Sequence, residues 1–156
     1  MSSRAPVARL LIVEDDATIA LGLRMLLYDW GYDVMAVAAS GEHALILAAA
    51  EQPDLVLMDV RLAGRMDGVD TAAVLRLKHA MPILFLTAQS DSRTVEQLST
   101  SGADGVLFKP VDPPRLRGAV AELLSRAGVA VPAPVEPAAE TTEASLRQQA
   151  TETSLR

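Results

Sequence analysis

Four short apolar runs in this chain end on side chains that could do chemistry. Glu14 and Asp15 follow VARLLIV, Asp59 follows LVLM, Thr87 closes ILFLT, and Lys109 follows the run that ends at Phe108. Carboxylates crowded at one edge repel one another, unless a hard cation takes their oxygens as ligands. The chemistry this predicts is a Mg²⁺ site made of carboxylate oxygens, a backbone carbonyl from the loop after Asp59, and water, with room for a phosphoryl oxygen. Lys109 as a point charge and Thr87 as a hydroxyl donor suit the remaining phosphoryl oxygens. Asp59 is then the nucleophile. A carboxylate attacking phosphorus gives an acyl phosphate, a reaction that needs little beyond positioning and charge neutralisation.

The elements that must position these groups follow from hydrophobic patterning. Residues 7–13, 32–38, 54–58, 83–87 and 103–108 read as strands; the run at 55–58 is apolar throughout, as expected for a strand covered on both faces, whereas 32–38 alternates and belongs nearer an edge. Asp16 caps a helix that starts at Ala17 and stops at Gly31, and Ser40 caps one that Pro53 ends. Asp67 caps a third through Lys78, and Ser90 or Asp91 a fourth that Gly102 ends. Asp112, Pro113 and Pro114 open the fifth, which fades at Gly128. Strict alternation of strands and helices predicts an α/β fold with a parallel sheet and helices on both faces. In such sheets ligands bind at the carboxyl ends of the strands.

Composition narrows the function. Half of the 156 residues are apolar, enough for one domain with a core, and there is no cysteine for disulfides or thiolate metal sites. A net charge of −6 without a basic cluster argues against binding nucleic acid and for protein partners. No run approaches the ~20 apolar residues that span a bilayer, so no membrane association and a cytoplasmic location are expected. Residues 1–6 read as a loose arm and 128–156 as a Pro/Ala-rich tail, disordered or weakly helical. Its proline-spaced start at 129–137 should be extended and solvated, and TEASLR recurs as TETSLR. Ile19, Leu23, Leu26 and Leu27 give the first helix a core face. Ala20, Leu21 and Met25 widen it, which reads as tight burial or as a docking surface. His43 and His79 have no relay or ligand spacing, and Trp30 reads as a cover over the core edge.

The motifs VEDD at 13–16, LMD at 57–59, LTA at 86–88 and FKP at 108–110 together resemble the receiver domain of two-component response regulators, over about residues 7–127. The resemblance implies a flavodoxin-like sheet of strand order 2-1-3-4-5. It makes Asp59 the phosphoacceptor, Asp15 a direct Mg²⁺ ligand, Glu14 a ligand through water, and Arg61 the backbone-carbonyl ligand. Thr87 becomes the switch hydroxyl and Lys109 the phosphoryl contact, while the small Ala88 leaves a path for the donor imidazole. A histidine kinase or phosphotransfer protein would supply the phosphoryl group, and the receiver catalyses only its own phosphorylation and dephosphorylation. In the family the surface of helix four, strand five and helix five often carries dimer or effector contacts, so it and helix one are the candidate faces for a homodimer, solvated charge being the alternative.

Three departures from the family pattern stand out. Leu62 and Ala63 replace the usual Met-Pro, and the loop before Asp67 and Gly68 is one residue longer. Val106 stands where the signalling aromatic is expected; Phe108 shares its face by period two and either serves instead or leaves the switch without an aromatic. Arg61 and Gln89 occupy positions that tune the lifetime of the acyl phosphate. The reading is a stand-alone receiver that changes protein contacts when Asp59 is phosphorylated. A phosphate sink and a constitutive binding module are its alternatives within the family. A magnesium phosphatase with an aspartyl nucleophile would want a second aspartate at position 61.

Overall fold

Runs of Leu, Ile and Val too short for helices form five strands in the computed structural model, which describes residues 7–88, 96–98 and 104–133. The expected arm, Gln89, the cap at Ser90 or Asp91, Gly102 and the repeated tail lie outside these residues. The strands are β1 (Arg9–Val13), β2 (Asp33–Ala38), β3 (Leu55–Asp59), β4 (Ile83–Thr87) and β5 (Gly105–Phe108). They make one sheet of order β2-β1-β3-β4-β5, parallel throughout, as expected. The alternating β2 is an edge and the continuously apolar β3 is central.

Period-two alternation sends successive side chains to opposite faces. Leu10, Ile12, Leu55, Leu57, Leu84 and Leu86 face α1 (Ala17–Asp29) and α4 (Pro113–Arg126), the fifth helix of the sequence reading. Leu11, Val13, Val56, Met58, Ile83 and Phe85 face α2 (Gly41–Glu51) and α3 (Gly68–Lys78), with Leu98 from the helical residues 96–98. Each fully buried side chain of this kind stabilises the fold by about 1.5–3 kcal/mol. Every named helix begins at a predicted cap. Asp16 accepts from the amides of Thr18 and Ile19, Ser40 from that of His43, and Asp112 from that of Arg115. Asp67 and Asp70 form a reciprocal capping box.

The structure departs from the sequence reading at the periphery. Ala20 is buried, but Leu21 and Met25 are 58% and 60% exposed, so on these two the widened apolar face of α1 points to solvent rather than into the core. A helix packed on a sheet buries one stripe, and Leu23 and Leu27 already fill it. Residues just past α4 are not fully solvated. The Val129 amide donates to the Leu124 carbonyl at 2.9 Å, and Val129 and Val131 pack against the cluster under α1 and α4. Trp30 does cover that edge, with the Arg117 guanidinium 5.8 Å from its ring centre. No helix among the described residues is long and apolar enough to cross a membrane.

Candidate functional site

The parallel register brings the chemically competent residues to one edge of the sheet. Asp59 is the last residue of β3, paired with Leu86 of β4 and 8% exposed. Glu14 follows β1 and is 3% exposed, its amide donating to the Ala38 carbonyl at the end of β2. Asp15, beside it, is exposed. Thr87 ends β4 in register with Phe108 and is buried. Lys109 follows β5, and its amide donates to the Thr87 carbonyl at 2.8 Å, which fixes the root of a side chain that then reaches across the sheet. Its ammonium donates to Glu14 Oε2 at 3.0 Å and to Asp59 Oδ2 at 3.2 Å.

The electrostatics follow from this crowding. Burial pushes the Glu14 carboxyl up to about 6; the hydrogen bond from Lys109 opposes the shift and the neighbouring Asp59 charge adds to it. Burial alone would lower Lys109, but its hydrogen bond to Glu14 and the charges of Asp59 and Glu14 outweigh that and raise it, so the ammonium stays charged. Carboxylate oxygens of Glu14, Asp15 and Asp59 lie within 4.8 Å of one another. Hard oxygen donors at that spacing, with more negative charge than one ammonium neutralises, fit a divalent cation such as Mg²⁺.

Around this centre lie the other residues expected from the sequence. The Arg61 amide points back to Asp59 Oδ1 at 3.4 Å. Ala88 is exposed and lines an apolar groove of about 550 Å³ with Ile19, Leu23, Lys109, Pro110 and Val111, between α1 and the segment after β5. Val106, in register with Phe85, is half-buried against the cluster on the α2 and α3 side, whereas Phe108 is 47% exposed. Gln89 lies outside the described residues.

Sequence reasoning missed how the loop after Asp59 is tied down. The Gly68 amide donates to the Val60 carbonyl at 2.7 Å, and a Cβ at Gly68 would sit 2.0 Å from the Asp59 carbonyl oxygen. Gly68 is therefore required by the close approach of α3 to the backbone of Asp59, although the sequence offered it only as the residue after a cap. Glu42, read only as part of α2, accepts a hydrogen bond from the Arg65 amide of the same loop at 3.1 Å. A pairing of residues 23 positions apart leaves no signal in local patterning.

Residues 10–121 match the family model of the response regulator receiver domain. The chain is 41% identical over 102 residues to the transcriptional regulatory protein PdtaR of Mycobacterium tuberculosis, covering 65% of this chain and 49% of that protein. It is also 41% identical over 118 residues to the DNA-binding response regulator MtrA of Mycobacterium leprae, covering 76% of this chain and 52% of the relative. The chain thus spans about half the length of the curated relatives it matches. Among solved structures, the signal receiver domain of a modulated diguanylate cyclase from Desulfovibrio desulfuricans superposes with a TM-score of 0.74 at 35% identity, covering 79% of this chain and 98% of that one.

Proposed function

Because the chain belongs to the response regulator receiver family, we propose that Asp59 accepts a phosphoryl group from a histidine kinase or phosphotransfer protein, and that the change alters contacts with protein partners. One Asp59 carboxylate oxygen forms the new O–P bond as the P–N bond of the donor phosphohistidine breaks. The departing imidazole keeps the electron pair and takes a proton from solvent. Lys109 meets the negative charge on the transferred group, and the Thr87 hydroxyl donates to one of its oxygens. Glu14, Asp15, Asp59 and the Arg61 carbonyl would hold Mg²⁺, which when bound neutralises charge between the carboxylates and the incoming phosphoryl oxygens. The small side chain of Ala88 leaves a donor imidazole room to approach Asp59. The phosphoryl group favours one of two arrangements of Thr87 and the neighbouring surface, a population shift in favour of one set of partner contacts. Catalysis is confined to the chain's own phosphorylation and dephosphorylation, in the cytoplasm.

The observation that carries this reading is the juxtaposition of three carboxylates with Lys109, 3.0 Å from Glu14 and 3.2 Å from Asp59, at the carboxyl end of a parallel sheet. Intact mass after incubation with acetyl phosphate and Mg²⁺ tests it. The parent should gain one phosphoryl group of ~80 Da and Asp59→Ala none, as aspartyl acyl-phosphate chemistry requires. Equal labelling of the two, or none on the parent even with a cognate kinase, would remove Asp59 from the role. Decay of the adduct within seconds, with no phosphorylation-dependent binding, would favour a phosphate sink.

A further inference from the structure

The loop from Arg61 to Asp67 departs from the family pattern in sequence and length, and the structure shows what it leans on. Ala63 forms a parallel bridge with Ser40, the cap of α2. Gly64 takes a left-handed φ of 99°, and a Cβ there would stand 2.9 Å from Glu42 Oε2. The next amide, Arg65, donates to Glu42 Oε1 at 3.1 Å. Met66 lies against Gly41, where an added Cβ would be 3.1 Å from Met66 Cβ and 2.0 Å from Thr71 Oγ1. Three consecutive residues at the start of α2, Ser40, Gly41 and Glu42, thus seat residues 63–66 of the loop. Only the Glu42 carboxylate does so through a charged side chain, in the manner of a capping residue supplied by another helix.

We propose that Glu42 is a positioning residue for the phosphoacceptor site: its carboxylate holds the amide of Arg65 and the turn at Gly64, and so sets where the Arg61 carbonyl and the Asp59 carboxylate stand. The role rests on the reading of Asp59 as phosphoacceptor and of its acidic cluster as a Mg²⁺ site. Backbone amides stabilise the charged form of this side chain. Its own N–H first, then, against some burial, those of Arg65 and Met66, hold the carboxyl below its ordinary range. The segment between Asp59 and α3 is also held by the Arg61 amide on Asp59 Oδ1, by the Ala63 bridge to Ser40 and, at its far end, by the Gly68 amide on the Val60 carbonyl. Releasing Glu42 therefore loosens the turn from Gly64 to Met66 while these other contacts and both helices stay in place.

The test uses the full chain and three variants, Glu42→Ala, Glu42→Gln and Glu42→Asp. Amide hydrogen exchange of the metal-free protein reads the loop, Mg²⁺ titration calorimetry reads the site, and acetyl phosphate labelling reads the chemistry. Glu42→Ala should speed exchange at Arg65 and Met66 while β1 and β3 keep their protection, and should weaken Mg²⁺ binding by about tenfold, the low end for outer partners of metal ligands. Glu42→Gln retains one acceptor without charge, and Glu42→Asp retains charge with a shorter reach, so each should fall between parent and Glu42→Ala. Unchanged exchange at Arg65 and Met66 would overturn the proposal. So would a Glu42→Asp variant that matches the parent while Glu42→Gln matches Glu42→Ala, because the effect would then be charge at a distance rather than placement. A parent that binds Mg²⁺ yet takes no phosphoryl group would sink the acceptor reading alone, since exchange and metal titration still decide the role of Glu42.

Discussion

Replacing Lys109 by methionine isolates the charge at the centre of the site, because the aliphatic stem and its packing are retained. The ammonium stands 3.0 Å from a Glu14 oxygen and 3.2 Å from an Asp59 oxygen, and at an effective dielectric near 20 each contact is worth about 5 kcal/mol before desolvation. All three side chains are largely out of solvent, Lys109 at 16%, Glu14 at 3% and Asp59 at 9% exposure, so screening removes little. Truncating one partner of such a set leaves buried carboxylates unpaired, at a cost of about 3–5 kcal/mol. For a domain of this size that is a fall in Tm on the order of 10 °C in EDTA at pH 7.5. The sign with pH follows from Glu14. Its folded-state value is raised from an ordinary 4.5 to about 6, so the native state holds this proton more tightly than the unfolded chain does. The charge penalty is therefore present above about 6 and is relieved as pH falls toward 4.5. Loss of the Lys109 hydrogen bond pushes Glu14 higher still, so the variant's deficit should narrow between pH 7.5 and 5.0, and again with saturating Mg²⁺ at pH 7.5. Urea denaturation under the four combinations of pH and metal is the assay. A deficit that stays the same under all of them would mean lost packing rather than uncompensated charge, and would refute this account.

Two more outcomes follow from the same geometry. Gly68→Ala puts a methyl group 2.0 Å from the Asp59 carbonyl oxygen, so the start of α3 must back away; we expect a loss of about 1–3 kcal/mol in urea denaturation and slower acetyl phosphate labelling, and parent-like behaviour in both would show that the contact relaxes freely. Mg²⁺ affinity should fall as pH drops through about 6, where a proton competes for Glu14; calorimetry should give roughly fourfold weaker binding at pH 5.5 than at pH 7.5 for one such proton, and a flat profile would take Glu14 out of the metal site.

Much of the chemistry was legible before any fold. A carboxylate or hydroxyl closing an apolar strand marks a strand tip, and Asp16, Ser40, Asp67 and Asp112 marked helix starts, because capping is a bond between near neighbours in the chain. That the sheet is parallel followed from the alternation of strands and helices, and that β3 is covered on both faces from a run with no polar side, whereas the strand order came with the family resemblance. What patterning could not separate was burial from exposure on the widened face of α1. Which stripe meets the sheet depends on how the helix is rolled against β1 and α4, and Leu21 and Met25 ended outside.

By itself the sequence determined which residues could carry a phosphoryl group and roughly where each would stand, since local periodicity and capping are properties of contiguous residues. Only the tertiary structure decided that Lys109 bridges Glu14 and Asp59, that Gly68 must lack a side chain, and that Glu42 accepts from the Arg65 amide in the loop after Asp59. Those contacts join different elements of the fold rather than neighbours within one helix or strand. They exist only once the sheet fixes the register of its strands and the helices settle at van der Waals distance, and the energy that selects them is the packing of the whole core.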